Sequence, residues 1–188
     1  MPRFFFLALL LTGPLVHAQY GKNCEIRQFK INAFNPGIEY EMALGVNSTL
    51  DLRVAWQLAL EPTRAEPLKK MDGLEFFPAI TAQYRYYHNF DGRYHRRRSI
   101  YGNSGNYIAP TVALLSPGDR IVEGKRVEGL HGYGGLVYGI QRSYDSGLSF
   151  SLDAGAAYYV GPFKGTVYPV VNLSIGWIIS EKRWCVGL

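Results

Sequence analysis

The chain has 188 residues, 47% of them hydrophobic, and a formal net charge of +5. That size suits one domain, the hydrophobic share is far too low for a helical membrane protein, and the mild positive charge does not demand nucleic acid. Tyr (14 residues) and Gly (21 residues) are abundant, a mix that favours strands with tight turns and close backbone approaches.

Arg3 followed by the apolar run FFFLALLLTGPLV and the small-residue end VHA (Val16 to Ala18) reads as a secretory signal peptide over residues 1–18. The run is short for an anchor and is interrupted by Gly13-Pro14, and no lipobox cysteine follows it. Residues 19–188 are then one exported domain, and export argues further against a nucleic-acid partner.

Period-two alternation recurs through this domain, and no helical stripe competes with it. Eight strands are expected, over about 27–35, 37–45, 48–60, 76–89, 106–116, 132–143, 147–161 and 166–180. The first is the least defined, because the Asn35-Pro36-Gly37 step reads equally as a bend within one strand. The third places Leu50, Leu52, Val54, Trp56, Leu58 and Leu60 on one face and Asp51, Arg53 and Gln57 on the other. In the seventh, LSFSLDAGAAYYVG, one face is apolar and the other is small and polar, with a carboxylate at Asp153. Turn signals separate the strands: GVNS at 45–48, YDSG at 144–147 and GPFKG at 161–165. The segments 61–75 and 117–131 read as polar surface loops.

Alternation fits either a soluble barrel or one with lipid outside. Strand length separates them: several runs exceed the usual five or six residues, and a transmembrane strand needs about 9–11. Tyr84, Tyr86, Tyr87, Tyr158, Tyr159 and Trp56 gather at strand ends, as in the aromatic girdles of membrane barrels. With the export signal, these point to an eight-stranded antiparallel transmembrane up-and-down β-barrel. Both termini and the short turns at 45–48 and 144–147 would lie on the periplasmic side. The loops near 61–75, 117–131 and 161–165 would face outward, and the Arg-rich segment 90–105 would be an unusually long periplasmic turn.

Candidate chemistry divides into three groups. Glu39, Glu41, Asp51, Arg53, Arg85 and Asp153 would face a lumen only wide enough for side chains, where charges must pair. They form either a polar plug that holds the barrel together or a gated ion path. The basic turn GRYHRRRS carries Arg93, Arg96, Arg97 and Arg98, whose forks suit phosphate. It is either a solvated turn or a contact for lipid headgroups, lipopolysaccharide or another polyanion. Cys24 and Cys185, near the two ends of the exported chain, have no metal-ligand spacing. In a closed barrel the first and last strands meet, so the two form either a disulfide or unrelated thiols. His88, His95 and His131 are scattered, and no nucleophile motif surrounds Ser99, Ser104, Ser116 or Ser143. No enzyme activity, metal or cofactor is expected.

Three segments carry a family resemblance: NPGIEYEMALGVNSTLDLRVAW, YRYYHNFDGRYHRRRSIYGNSGNYIAPTVAL and VYGIQRSYDSGLSFSLDAGAAYYVG. Together they resemble small Gram-negative outer-membrane β-barrels of the OmpA-like and OmpW-like kind, most of them without an assigned activity. The resemblance implies an outer-membrane location, contact with outer-membrane lipids and lipopolysaccharide, passage through the barrel-assembly machinery, and a monomer. One departure stands out: the chain continues past its last strand as EKRWCVGL, without the terminal aromatic residue that this machinery reads. The function implied is structural or surface interaction. The alternatives are an enzyme acting on lipid A, with His131 and a nearby serine as its reactive groups, a small-solute channel, and a soluble exported lipid-binding barrel.

Overall fold

In a computed structural model of the chain, the described residues are 24–60, 74–116, 120–122, 125–127, 131–160 and 167–185. The segment read as a signal peptide, most of the 61–75 loop and the 161–165 turn lie outside them.

Eight antiparallel strands close into a ring: β1 (Cys24–Phe34), β2 (Gly37–Gly45), β3 (Ser48–Leu60), β4 (Leu74–Tyr87), β5 (Gly105–Leu115), β8 (His131–Ser143), β9 (Leu148–Val160) and β10 (Val167–Cys185). Each pairs with its neighbour in chain order, and β1 closes the ring against β10. Two three-residue strands, β6 (Arg120–Val122) and β7 (Lys125–Val127), pair as a separate hairpin inside the segment expected to be a plain loop. The Asn-Pro-Gly step is a tight turn. Asn35 adopts a left-handed φ of 55°, and the Trp56 N–H donates to Pro36 O at 2.9 Å.

Residues 24 and 185, the turns at 46–47 and 144–147, and the β4–β5 connection share one end of the barrel, called proximal below. The other, distal end carries the 35–36 turn and the β3–β4, β5–β8 and β9–β10 connections. The last strand runs five residues further than the expected 180, taking in EKRWC, because β1 supplies a hydrogen-bonding partner along that whole stretch. The basic β4–β5 connection is not an open turn. It forms a short helix α1 (Phe90–His95) and a 3₁₀ turn (Tyr101–Asn103) that folds back over the proximal mouth.

Side chains alternate in and out along each strand, and the exposure pattern inverts that of a water-soluble core. Arg85, Glu41 and Asp51 are 0% exposed, whereas outward Val112 is 60%, Ile80 58% and Leu136 58% exposed. The outward face is apolar on all eight strands, with Ile31, Ile38, Val54, Ile80, Val112, Leu136, Leu152 and Val171 as examples. Among described outward positions of the ring, charge appears only near the proximal end, at Arg27, Arg142 and the 181–182 step. Tyr84, Tyr86, Tyr138 and Trp177 flank that end of the apolar band, and Trp56 and Tyr158 stand towards the other. Two residues of the expected girdle belong inside: Tyr87 is completely buried, and Tyr159 packs on Tyr133 and Tyr168. Each neighbours an outward tyrosine, and strand alternation puts adjacent residues on opposite faces.

Candidate functional site

The inward charges arise from a simple local pattern. In β2 and β3 the odd-numbered positions 39, 41, 51 and 53 face inward, and the register sets Glu39 opposite Arg53 and Glu41 opposite Asp51. Lys30, on β1, lies opposite Glu39 on the other side of β2. Arg85 enters from β4.

These six form one continuous ionic cluster of three cations and three carboxylates. Lys30 Nζ stands 2.7 Å from Glu39 Oε1 and 2.9 Å from Glu41 Oε2. Arg53 Nη2 reaches Glu39 Oε2 at 3.2 Å and Asp51 Oδ1 at 3.6 Å. Arg85 is the hub for cationic contacts: Nη2 lies 3.0 Å from Asp51 Oδ1, and Nη1 lies 3.5 Å from Glu39 and 3.7 Å from Glu41. Its other donors are used too, with Nε donating to Gln83 Oε1 at 2.9 Å and Nη1 to Gln141 Oε1 at 2.8 Å. The guanidinium carbon sits 4.8 Å from the centre of the Tyr107 ring. Glu41 is the matching hub for acceptors, receiving bonds from Gln28, Lys30, Thr49, Tyr87, Asn103 and Gln141 at 2.5–3.0 Å. Asp51 differs: it touches Arg85 and Arg53 as an ion pair, but its carboxylate oxygens receive no well-directed hydrogen bond.

Glu39, Glu41 and Asp51 have carboxylate oxygens within 4.8 Å of one another, a spacing that suits a metal ion. Lys30, Arg53 and Arg85 already neutralise those carboxylates at contact distance. A divalent ion would have to displace or repel three buried cations, so the donor set fits an internal ion network better than a metal site.

Asp153 does not join this cluster by a direct bond. On β9 it accepts from Asn172 Nδ2 at 2.7 Å and from the Tyr107 hydroxyl at 3.2 Å. Gln57 extends the polar layer by donating to Asn172 and to the Tyr133 hydroxyl. Nearer the distal end the lumen becomes apolar, filled by Ala79, Ala113, Leu115, Tyr133, Ala157 and Val170.

The proximal mouth is closed by the β4–β5 connection. Gly102 O accepts from Gln28, Gln141 and Ser143 at 2.9–3.3 Å. Asn103 reaches Glu41, and Ser104 bonds Ser143 O at 3.2 Å. Gly102 holds a left-handed φ of 54°, and a Cβ there would sit 2.5 Å from Ser143 Cβ, so this close approach needs glycine. Phe90 from α1 stacks on Tyr87 with centroids 4.4 Å apart and completes the cap.

Arg93, Arg96, Arg97 and Arg98 lie outside the lumen network. Arg93 is tied to its own loop, with Nε and Nη2 donating to Ser99 O at 3.1 and 2.6 Å. Its guanidinium is lowered from the usual arginine range by partial burial and then by the nearby charges of Arg142 and Arg98. Arg142, on the outward face of β8, donates to Gly105 O, Gln141 O and Asn106 Oδ1, and Asn106 in turn donates to the Tyr138 hydroxyl. Among the described residues none of these five arginines forms an ion pair. Of the four serines considered, Ser99, Ser104 and Ser143 lie at the proximal end. Ser116 follows Leu115, the Cα partner of His131, at the distal end. The Ser104 hydroxyl donates to Ser143 O and accepts from the Ser143 N–H, and the Ser143 hydroxyl donates to Gly102 O.

Sequence reasoning missed Lys30, Gln28, Gln83, Gln141, Tyr107 and Asn103. The alternation Gln28-Lys30-Asn32 was visible, but it lay on the strand with the least defined boundaries. Comparison with family models, with curated proteins and with solved structures finds no match to this chain.

Proposed function

We propose that this chain is an outer-membrane β-barrel with a structural and surface-interaction role, exported by its N-terminal signal. The observation that carries this reading is the inverted exposure: a continuous outward apolar band around a lumen filled with paired charge. In water that band would be a large exposed apolar patch. In lipid it is dissolved, and ring closure satisfies the strand backbone. The eight strands of the ring have 9 to 19 residues, enough to cross the hydrocarbon core when tilted.

The basic face of the proximal cap supports contact with anionic headgroups. Arg96, Arg97 and Arg98 are exposed with no acidic partner among the described residues, and Arg142 is linked through Asn106 to Tyr138 where the apolar band ends. The fully buried Arg85, Lys30, Tyr87 and Tyr107 across the lumen argue for a plug rather than a solute path.

The decisive experiment is fractionation followed by a gel run unboiled and boiled. The folded chain is expected in the outer-membrane fraction with a heat-dependent mobility, and with no steady conductance in planar bilayers. Ile80→Arg, on the outward band, is expected to weaken the folded barrel by about 2–4 kcal/mol in lipid. A chain found in the aqueous fraction without detergent would overturn the membrane reading, and stable conductance would replace the plug with a channel.

A further inference from the structure

Cys24 and Cys185 are the two cysteines of the chain. They stand directly opposite one another as Cα partners at the proximal tip of the β1–β10 seam. We propose that they form an intramolecular disulfide that staples the barrel shut. This rests on the export reading above, because the bond needs an oxidising compartment.

The geometry of the seam carries the inference. Directly opposed residues in an antiparallel pair share one face of the sheet, with Cα atoms about 4.5 or 5.5 Å apart. Both spacings fall within the roughly 4.4–6.8 Å that a disulfide spans. The position is also where a staple has most to do. The β9 pairing of β10 ends with Leu148 opposite Trp177 and a last bond from the Ile178 N–H to Gly147 O at 2.8 Å. The β2 pairing of β1 ends at Arg27 opposite Met42. Among the described residues, the strand pairing of 24–26 and 183–185 is with each other, a two-stranded ribbon beyond the ring. Such a ribbon is marginal by itself. The seam is also irregular, its register shifting twice, between Phe29 and Lys30 and again between Asn32 and Phe34, against one shift in the β2–β3 pairing. Fraying from this tip would open the closure on which every other strand depends.

The chemistry balances as a thiol–disulfide exchange. Each thiol gives up one proton and one electron, and one S–S bond forms. The two electrons and two protons pass to the disulfide of a dithiol oxidase, which leaves as a dithiol.

The test blocks free thiols in intact cells with N-ethylmaleimide before lysis, and then measures the intact mass of the full chain and its location. The expected result is no adduct, two labelled cysteines after reduction, and a linked peptide pair containing Cys24 and Cys185 only in the unreduced digest. Cys24→Ser, Cys185→Ser and the double variant are expected to lower the thermal transition equally, by about 5–15 °C, since each removes the same bond. Two adducts on a chain in the membrane fraction would overturn the staple and leave the barrel reading intact. A chain in the reducing cytosol would instead overturn export. Oxidised glutathione applied to the purified full chain then decides the register: an intramolecular bond supports the opposed pair, and intermolecular dimers or persistent free thiols overturn it. Unequal losses among the three variants would also count against a shared bond.

Discussion

The two walls of the lumen are built on opposite principles. β1 to β4 contribute long polar side chains: Gln28, Lys30, Glu39, Glu41, Asp51, Arg53, Gln57, Gln83 and Arg85. The wall from β8 to β10 contributes mainly small residues, Gly139, Ser149, Ser151, Gly155, Ala157 and Ser174, with Tyr133, Gln141, Asp153 and Asn172 as its larger polar members. One wall reaches across and the other recedes. An eight-stranded ring has room for one layer of large side chains, so long groups on one side require small ones on the other. The walls also differ in what a change costs. A charged side chain is held by partners, and its loss leaves those partners buried and unpaired. A small residue is held by the space it vacates, and its enlargement collides with whatever fills that space.

The largest effect should come from breaking the charged wall at its hub. Arg85→Met removes the contacts to Asp51, Glu39 and Glu41 while keeping bulk. It is expected to cost about 3–5 kcal/mol in a urea or heat titration of the folded barrel. Adding Asp51→Asn should recover a substantial part, because one orphaned charge then disappears. If Arg85→Met is harmless, the cluster is not the coupled unit described.

Next comes the receding wall. A Cβ on Gly139 would sit 2.2 Å from Tyr107 Cζ. Gly139→Ala is therefore expected to cost about 1–3 kcal/mol by overpacking. Tyr107→Leu in the same chain should relieve part of that loss, a positive coupling readable in a double-mutant cycle. Independent, additive losses would mean that the Tyr107 ring does not fill the space beside Gly139.

Tyr107→Phe probes the polar link that β5 makes to the receding wall, the hydroxyl's bond to Asp153 at 3.2 Å. About 0.5–1.5 kcal/mol is expected. Ser174→Ala, a small inward residue of β10, should change stability by less than about 0.5 kcal/mol. A large effect there would show that the small wall is held by partners as well as by space.

Much of the ring was legible in advance. Period-two patterning placed all eight strands within a few residues, since inward and outward faces see different surroundings and select opposite side chains. The inward set Glu39, Glu41, Asp51, Arg53, Arg85 and Asp153 was visible for the same reason. Three features were not. The end of β10 was hidden because residues 181–185 alternate poorly and gain their strand conformation from β1. The cap was hidden because its arginines dominate the composition of a segment whose lumen contacts come from Gly102 and Asn103. Asp153 read as a member of the ionic cluster, yet Tyr107 and Asn172 hold it.

The amino-acid sequence by itself determined which residues form strands, which face each side chain takes, and that one face is apolar while the other carries charge. Those properties follow from local alternation, which depends only on neighbours one and two positions away. Tertiary structure alone decided which charges meet across the lumen, that Lys30 belongs with Glu39 and Glu41, and that residues 24 and 185 stand opposite each other. Such pairings depend on how far each strand is staggered against the next when the ring closes. That stagger is set by all eight registers together, including the two irregularities of the β1–β10 seam, and no single segment encodes it.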